Sequence, residues 1–225
     1  LARALTDAGF VVAFPQHRGD HTGDVSDAGP VSWRRRPAEV SRAIDALAQR
    51  PEWAVRLRLD RVGLWGGSAG GHTALAFAGG RWSGARMVAH CERHIAQDFA
   101  ACAGFTTQLQ GNLLDGPKQW AVLNILRLRF NDPTELTAHD PRIAAAAAAV
   151  PYAADFDLDS LSRPRMALAL VRAGRDAMLA PGLHGDAVAA ACPRCERLAD
   201  LPTAGHGMIL SPLPIWPAGS VAAAL

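Results

Sequence analysis

Residues 61 to 72 read Arg-Val-Gly-Leu-Trp-Gly-Gly-Ser-Ala-Gly-Gly-His, and this stretch decides the fold class. The compact apolar run from Arg61 to Trp65 predicts a buried strand, and Gly66 to Gly71 predict a sharp turn. From His72 to Ala78 the sequence predicts a helix. A strand, a tight turn and a helix in that order are typical of α/β proteins with a parallel sheet.

The elements on either side alternate in the same way. Further helices are predicted at Leu1 to Ala8, with Gly9 as the helix end, at Arg36 to Gln49 and at Gly185 to Ala191. Further strands are predicted at Phe10 to Phe14, Ile143 to Val150, Arg165 to Val171 and Glu196 to Leu201. Five strands that alternate with helices predict a mostly parallel sheet with helices on both faces.

The segment from Ile143 to Val150 has features of both a helix and a strand. Six successive alanines between Ile143 and Val150 favour a helix by propensity. The short length, the flanking prolines and the position between helices favour a buried strand. We therefore predict a strand.

The segment from Gly79 to Asp140 has a different pattern, because predicted strands are missing from it. Helical pieces at Met87 to Phe99 and Trp120 to Arg129 are separated by Gly/Asn/Pro loops. Within a single domain that spans residues 1 to 225, we interpret this segment as a helical cap or lid insertion. Its aromatic residues would line an apolar site or, more ordinarily, form the core of the insertion; they are Trp82, Phe99, Phe105, Trp120 and Phe130.

The glycine-rich turn carries a possible nucleophile. Gly66-Gly67-Ser68-Ala69-Gly70 matches G-x-S-x-G, in which small residues let the strand and helix backbones approach closely around the serine. A structural turn or a phosphate-binding loop would share some of these features. The Lys of a phosphate-binding G-x-x-x-x-G-K-[ST] motif is missing, and no Rossmann fingerprint fits. The strand before and the helix after favour a nucleophile elbow with Ser68 as the nucleophile.

A serine hydroxyl needs a base to remove its proton and a carboxylate to orient that base. In α/β hydrolases the chain order is Ser, acid, His. Asp176 follows one predicted strand and His206 follows the next, so both fall at the sheet edge where Ser68 lies. We predict Ser68, Asp176 and His206 as a catalytic triad.

Other carboxylates compete with Asp176 for the acid role. Asp155, Asp157 and Asp159 follow the preceding strand, where some hydrolases place the acid. Order and spacing favour Asp176.

An oxyanion hole needs two preorganised N–H donors. One is predicted from Ala69, just after the nucleophile, and the other from a loop after an earlier strand. That earlier loop would precede Leu1, so we expect the chain to lack the first strands of the fold.

Charge and hydropathy exclude several partner classes. The chain of 225 residues carries 23 Lys and Arg against 21 Asp and Glu, so it has no global field to hold nucleic acid. Its longest apolar stretch, Ile143 to Val150, is far shorter than the ~20 residues that cross a bilayer. The short run Arg34 to Arg36 is interpreted as solvated surface.

The cysteines and histidines give weak metal signals. Cys91, Cys102, Cys192 and Cys195 permit two disulfides without requiring them, and Cys91 with Cys102 is the pair to test. A lone C-x-x-C pair weakly supports zinc. His90 and His94, which flank Cys91, share a helix face as metal ligands do, but no third firm ligand is identifiable. We predict a surface helix and no metal.

Taken together, these stretches resemble the dienelactone hydrolase-like branch of the α/β hydrolases, in particular the group described as predicted dienelactone hydrolases. The resemblance spans nearly the whole chain and rests on Ala8 to Asp20, Trp33, Arg36-Pro37, Ile44 to Leu47, Gly66 to Gly71, Asp140 to Ile143, Gly174 to Asp176 and Ala204 to His206.

The resemblance implies an eight-stranded sheet, hydrolysis of a small carboxylic ester or lactone, and no metal or organic cofactor. It also implies Ser68, Asp176 and His206 as the triad. The first three strands have no counterpart here, and the nucleophile is Ser where dienelactone hydrolases use Cys, so dienelactone is not predicted as the substrate.

Two other functions are compatible with the same residues. One is a catalytically inactive fragment or pseudoenzyme of the same fold, and the other is a serine peptidase or acyltransferase, because the triad is common to all of these enzymes. Secreted, periplasmic and cytoplasmic locations are all compatible with the cysteine count and the first residue. The oligomeric state is also left open.

Overall fold

The computed structural model describes residues 1–104 and 106–209, and they form a mixed α/β structure. Four parallel strands form the main sheet in the order β1-β3-β5-β6, and β2 pairs with β4 in a separate antiparallel ribbon. The strands are β1 (Val62–Gly67), β2 (Arg81–Trp82), β3 (Ile143–Ala149), β4 (Phe156–Asp157), β5 (Ala167–Ala173) and β6 (Glu196–Leu201).

Helices flank the sheet and fill the long segment between β2 and β3. They are α1 (Ala2–Asp7), α2 (Pro30–Trp33), α3 (Arg36–Ala48), α4 (Pro51–Ala54), α5 (Ala69–Phe77), α6 (Gly84–His94), α7 (Phe99–Ala103), α8 (Asp115–Phe130) and α9 (Gly185–Ala191). Three 3₁₀ turns cover Leu158–Leu161, Pro181–Leu183 and His206–Ile209.

The alanine-rich segment is a strand, as predicted, and lies between β1 and β5. Ala148 is fully buried there in the same apolar cluster as Leu75 and Phe77, so its small side chain permits close packing of α5 on the sheet. Pairing on both sides satisfies every peptide group of a central strand, and this outweighs the helix propensity of alanine.

The strand predicted at Phe10 to Phe14 is wrong. These residues form no strand, and Phe10 and Phe14 are 62% and 77% exposed. A strand requires a neighbour to accept and donate its backbone hydrogen bonds, and no strand of the described residues lies beside this segment. The parallel sheet therefore has four of the five predicted strands.

The segment from Gly79 to Asp140 also departs from the prediction. It contains the short strand β2, whose Trp82 pairs with Phe156 of β4. The sequence does not predict this strand, because two residues are too few to produce a periodic pattern. The helix predicted at Met87 to Phe99 is instead two helices, α6 and α7. Ser83 sets the start of α6, since its hydroxyl oxygen accepts the N–H of Arg86 at 3.3 Å.

Two apolar clusters hold these layers together. The first joins the sheet to its helices through Ile44 of α3, Leu75 and Phe77 of α5 and Leu168 of β5. The second joins α6 and α8 to the loops that follow the strands, and its buried members are Trp33, Met87, Val88, Cys91, Cys102, Leu126, Tyr152, Ala154 and Leu179. The helical segment is thereby packed against the carboxyl edge of the sheet.

Arg142 connects the start of β3 to α3. Its guanidinium donates to Asp140 at 2.9 and 2.7 Å and to Asp45 at 2.6 Å. The Arg142 guanidinium holds the pKa of the buried Asp140 carboxyl well below its usual range, and this effect outweighs burial, which acts in the opposite direction.

The Asp140→Asn variant is expected to lose about 2 kcal/mol of unfolding free energy at pH 7, the usual contribution of hydrogen bonds to a charged group. A folded-state pKa below the unfolded value means that this stability is present above about pH 4 and declines as the pH falls further. Denaturant titrations at pH 7 and pH 3 measure it. The difference in unfolding free energy between wild type and Asp140→Asn should be smaller at pH 3 than at pH 7. An unchanged difference would contradict an ionic origin of this stability. The exposed Asp60→Asn variant is the control.

Candidate active site

Ser68 stands at the junction of β1 and α5 in a strained backbone conformation, with φ at 54° and ψ at −116°. Glycines permit the tight turn. A Cβ at Gly66 would lie 2.0 Å from the carbonyl oxygen of Gly70, and one at Gly71 would lie 2.8 Å from Cα of Pro151. A non-glycine residue at positive φ in such a turn needs the surrounding structure to hold it there.

Backbone hydrogen bonds fix the serine from both sides. The N–H of Ser68 donates to the carbonyl of Ala149 at 3.0 Å, and the N–H of Tyr152 donates to the carbonyl of Ser68 at 3.3 Å. Val150, between these two partners, also has a positive φ of 39°, which is unusual for a β-branched residue. The strain is thus concentrated where two neighbouring strands end.

Asp176 and His206 form a buried pair at the same edge of the sheet. Nδ1 of His206 lies 2.7 Å from Oδ2 of Asp176, and both residues are almost fully buried. The other carboxylate oxygen of Asp176 accepts the N–H groups of Met178 and Leu179 at 2.9 and 2.8 Å. The carboxylate therefore has partners on both oxygens and holds the imidazole by one nitrogen.

The loops that carry this pair are joined to each other. The N–H of Gly174 donates to Leu201 and that of Arg175 to Ala204, both at 2.9 Å. The topology places Asp176 after β5 and His206 after β6, at the edge where Ser68 follows β1. Within the described residues no hydrogen bond joins the Ser68 hydroxyl to His206, a contact that often tightens only when substrate binds.

Ala69 begins α5, immediately after the serine. Its N–H is in the first helical turn, where no preceding helical carbonyl is available to accept it, and the positive end of the helix dipole lies there. This N–H can stabilise a developing oxyanion. The structure places Ala69, the predicted oxyanion donor, at the first position of α5 directly after Ser68.

The rival acids have other partners. Oδ2 of Asp155 lies 3.0 Å from Nε2 of His72 in a fully buried pair. Asp157 is bonded to Arg81, and Asp159 is exposed in a 3₁₀ turn. None of the three is bonded to His206 among the described residues, whereas Asp176 is.

Sequence reasoning missed the buried polar residues next to the serine. His72 is one helical turn after Ser68, packs against Trp33 and Tyr152 with ring centroids 4.9 and 6.5 Å away, and has no exposed surface. Burial raises the pKa of the Tyr152 hydroxyl well above its usual value. The i, i+4 spacing of Ser68 and His72 and the position of Tyr152 just after β3 were available signals.

A second histidine-rich group lies in and beside the helical segment. Nε2 of His90 and Nε2 of His184 lie 2.7 and 2.8 Å from the same oxygen of Asp98. The three side chains are close enough to share a metal ion. However, Nδ1 of His184 accepts the N–H of Ala153 at 3.0 Å, so Nε2 carries the proton and has no lone pair for a metal. The group fits a hydrogen-bonded network instead.

All four cysteines are paired. Cys91 is bonded to Cys102, the pair singled out from the sequence, and Cys192 is bonded to Cys195. Neither pair therefore offers a thiolate to a metal. Oxidised cysteines of this kind are typical of oxidising compartments.

The predicted aromatic lining is divided between core and surface. Trp82 and Phe99 are buried, Trp120 is 70% exposed, and Phe105 lies outside the described residues. A pocket of about 480 Å³ lies elsewhere, beside the loop with His17 and the face of α3 with Glu39, and neither Ser68 nor His206 lines it. Among the described aromatic residues of this segment, Trp82 and Phe99 thus belong to the core and Trp120 to the surface.

No helix among residues 1–104 and 106–209 has both the length and the apolar composition to cross a membrane. Comparisons of the chain with protein-family models, with curated proteins and with solved structures found no match.

Proposed function

We propose that this protein is an α/β-hydrolase of the dienelactone hydrolase-like type, a serine hydrolase that cleaves carboxylic esters or lactones. The observation that carries the proposal is the backbone of Ser68, a serine held at positive φ where a parallel strand turns into a helix. Such a strained turn exposes a nucleophile above the sheet. The paired Asp176 and His206 at the same edge support it.

The proposed reaction is acyl transfer in two steps. Ser68 Oγ attacks the ester carbonyl while Nε2 of His206 accepts its proton, and the same proton then passes to the leaving alcohol. Asp176 holds the other imidazole nitrogen and stabilises the imidazolium. The N–H of Ala69 stabilises the oxyanion. Water then releases the acid from the acyl-enzyme by the same route.

The helical segment between residues 79 and 140 has the proposed role of a cap. Support comes from an apolar cluster in which Val88 of α6 and Leu126 of α8 contact Tyr152 and Leu179. These last two residues lie in the edge loops, the loops that follow β3 and β5 at the carboxyl edge of the sheet. Ala69 also packs against this cluster. Segments that cover a reactive serine exclude water and shape the substrate pocket.

Reaction with a fluorophosphonate probe tests the proposal. Because only an activated serine reacts quickly, mass spectrometry of the purified protein should find one adduct, on Ser68. The His206→Ala variant should label about 100- to 10,000-fold more slowly, the usual contribution of a general base. A variant at the exposed Ser162, Ser162→Ala, is the matched control and should label like wild type.

A folded protein that does not label, or that labels at another serine, would sink the proposal. Circular dichroism and intact disulfides establish that the sample is folded. If labelling succeeds, matched ester, thioester and amide substrates distinguish an esterase from an acyltransferase or a peptidase, because the triad alone serves all three.

A further inference from the structure

Asp98 is a buried carboxylate that connects three separate parts of the chain. It lies directly before α7, and its side chain is 1% exposed. One oxygen accepts His90 of α6 and His184, the residue that precedes α9. The other oxygen accepts the N–H of Ala180 at 3.1 Å, in the loop after β5.

One of these bonds leads to the proposed catalytic acid. Ala180 is four residues after Asp176, and the intervening N–H groups of Met178 and Leu179 already donate to Asp176. The loop is therefore closed on itself at Asp176 and attached to the helical segment at Ala180. Without the second attachment, the loop would keep its local turn and the packing of Leu179 but lose its hydrogen bond to the helical segment.

The other chain of bonds leads to the proposed nucleophile. His184 accepts the N–H of Ala153 through Nδ1. The preceding residue, Tyr152, donates its N–H to the carbonyl of Ser68. A single carboxylate thus terminates two paths of hydrogen bonds, one from the loop of Asp176 and one from the loop beside Ser68.

The chemistry of these contacts requires an anion at position 98. Burial raises the pKa of Asp98, but the hydrogen bonds from His184, His90 and Ala180 outweigh it and hold this pKa well below its usual range. All three partners are hydrogen-bond donors to the carboxylate. An amide at this position has one donor group and one acceptor, so it cannot accept all three.

A disulfide keeps the carboxylate in place. Cys91 is next to His90, and Cys102 is in α7, four residues after Asp98, so their bond joins the two helices on either side of the contact. The disulfide therefore links the helix that carries His90 to the helix that follows Asp98.

We propose that Asp98 is a positioning residue, which fixes the loops of Asp176 and Ser68 in register with each other from the helical segment. This inference rests on the proposed serine hydrolase function. Asp98 does not touch the reacting atoms; it acts through Ala180 and through His184. Displacement of about 1 Å at reacting groups lowers rates by about two orders of magnitude, so a small loosening has a measurable effect.

Asp98→Asn tests this role in the full-length protein with p-nitrophenyl acetate as substrate. The expected result is a kcat, per active site titrated with fluorophosphonate, that falls by about 10- to 100-fold, while KM changes by less than about threefold. Hydrogen exchange should also accelerate at the Ala180 amide, because its acceptor is altered.

Asp140→Asn is the matched control, because it also removes a buried, ion-paired carboxylate but at the far end of β3 from the serine. It should leave kcat per titrated site and exchange at Ala180 unchanged. Equal losses of kcat in both variants would overturn the positioning role, since simple destabilisation would then explain the result. Normal turnover by Asp98→Asn would overturn it as well.

A second variant covers the case in which Asp98→Asn does not fold. Ala180→Pro removes the N–H that donates to Asp98, and the φ of −51° at Ala180 suits proline. It should lower kcat per titrated site in the same range, and normal turnover would overturn the role. A wild-type protein that neither labels nor hydrolyses ester overturns the proposed function itself, and the positioning role with it. An active wild-type protein whose variants have normal kcat overturns only the positioning role.

Discussion

Ser68→Ala is expected to lower kcat for ester hydrolysis by about a millionfold, the loss that removal of a triad nucleophile causes. Alanine has no hydroxyl to attack the ester carbonyl, and the strained turn places residue 68 at the strand and helix junction where the proposed nucleophile lies. The fold should be unaffected. Alanine keeps the N–H and the carbonyl of residue 68, and these make the hydrogen bonds to Ala149 and Tyr152.

Ester hydrolysis followed in the presence of excess substrate measures this loss. Ser162→Ala, in the exposed loop before β5, is the matched serine variant and should retain wild-type kcat. Stability is compared by denaturant titration, so that a loss of folded protein is not mistaken for a loss of chemistry. An Ser68→Ala variant with more than about a tenth of wild-type kcat would contradict a serine nucleophile.

The part of the site that is local in sequence could be predicted. Ser68 and Ala69 lie within one strand, turn and helix, and glycine is required at 66 and 71 because a Cβ there would lie 2.0 and 2.8 Å from backbone atoms of Gly70 and Pro151. The order of strands along the chain was also enough to bring Asp176 beside His206, because parallel strands end at one edge.

The part of the fold that depends on pairing with adjacent strands could not be predicted. Phe10 to Phe14 has the composition of a strand, but pairing depends on what lies beside it, and periodicity carries no information about that. The alanines of β3 show the converse, since pairing on both sides makes a strand of residues that prefer a helix.

The network of Asp98 was missed for a related reason. Asp98 and His184 are 86 positions apart, so no local pattern connects them. The sequence groups His90 only with its neighbours Cys91 and His94, in a spacing typical of metal ligands. The structure instead commits Cys91 to a disulfide and His90 to Asp98. Polar groups that are buried by tertiary packing find partners by proximity in space, not in sequence.

Asp176→Asn is expected to lower kcat by about ten-thousandfold, the second largest effect. The amide keeps the size of the side chain, but where it presents its N–H₂ group to Nδ1 of His206 it favours the imidazole tautomer with the proton on Nε2. That tautomer cannot accept the proton of Ser68. Steady-state hydrolysis at several pH values measures the loss.

Comparison of Asp155→Asn with Asp176→Asn tests which carboxylate is the catalytic acid. The two residues are well matched, because Asp155 is as deeply buried as Asp176 and is also bonded to a histidine. Its partner is His72, which lies in α5 and has no exposed surface, so we expect this pair not to contact substrate. We expect Asp155→Asn to lose stability but to change kcat by less than about tenfold. If the two variants exchanged these effects, the acid would be Asp155, and the hydrogen bond between Asp176 and His206 would have to be a structural contact of the two loops.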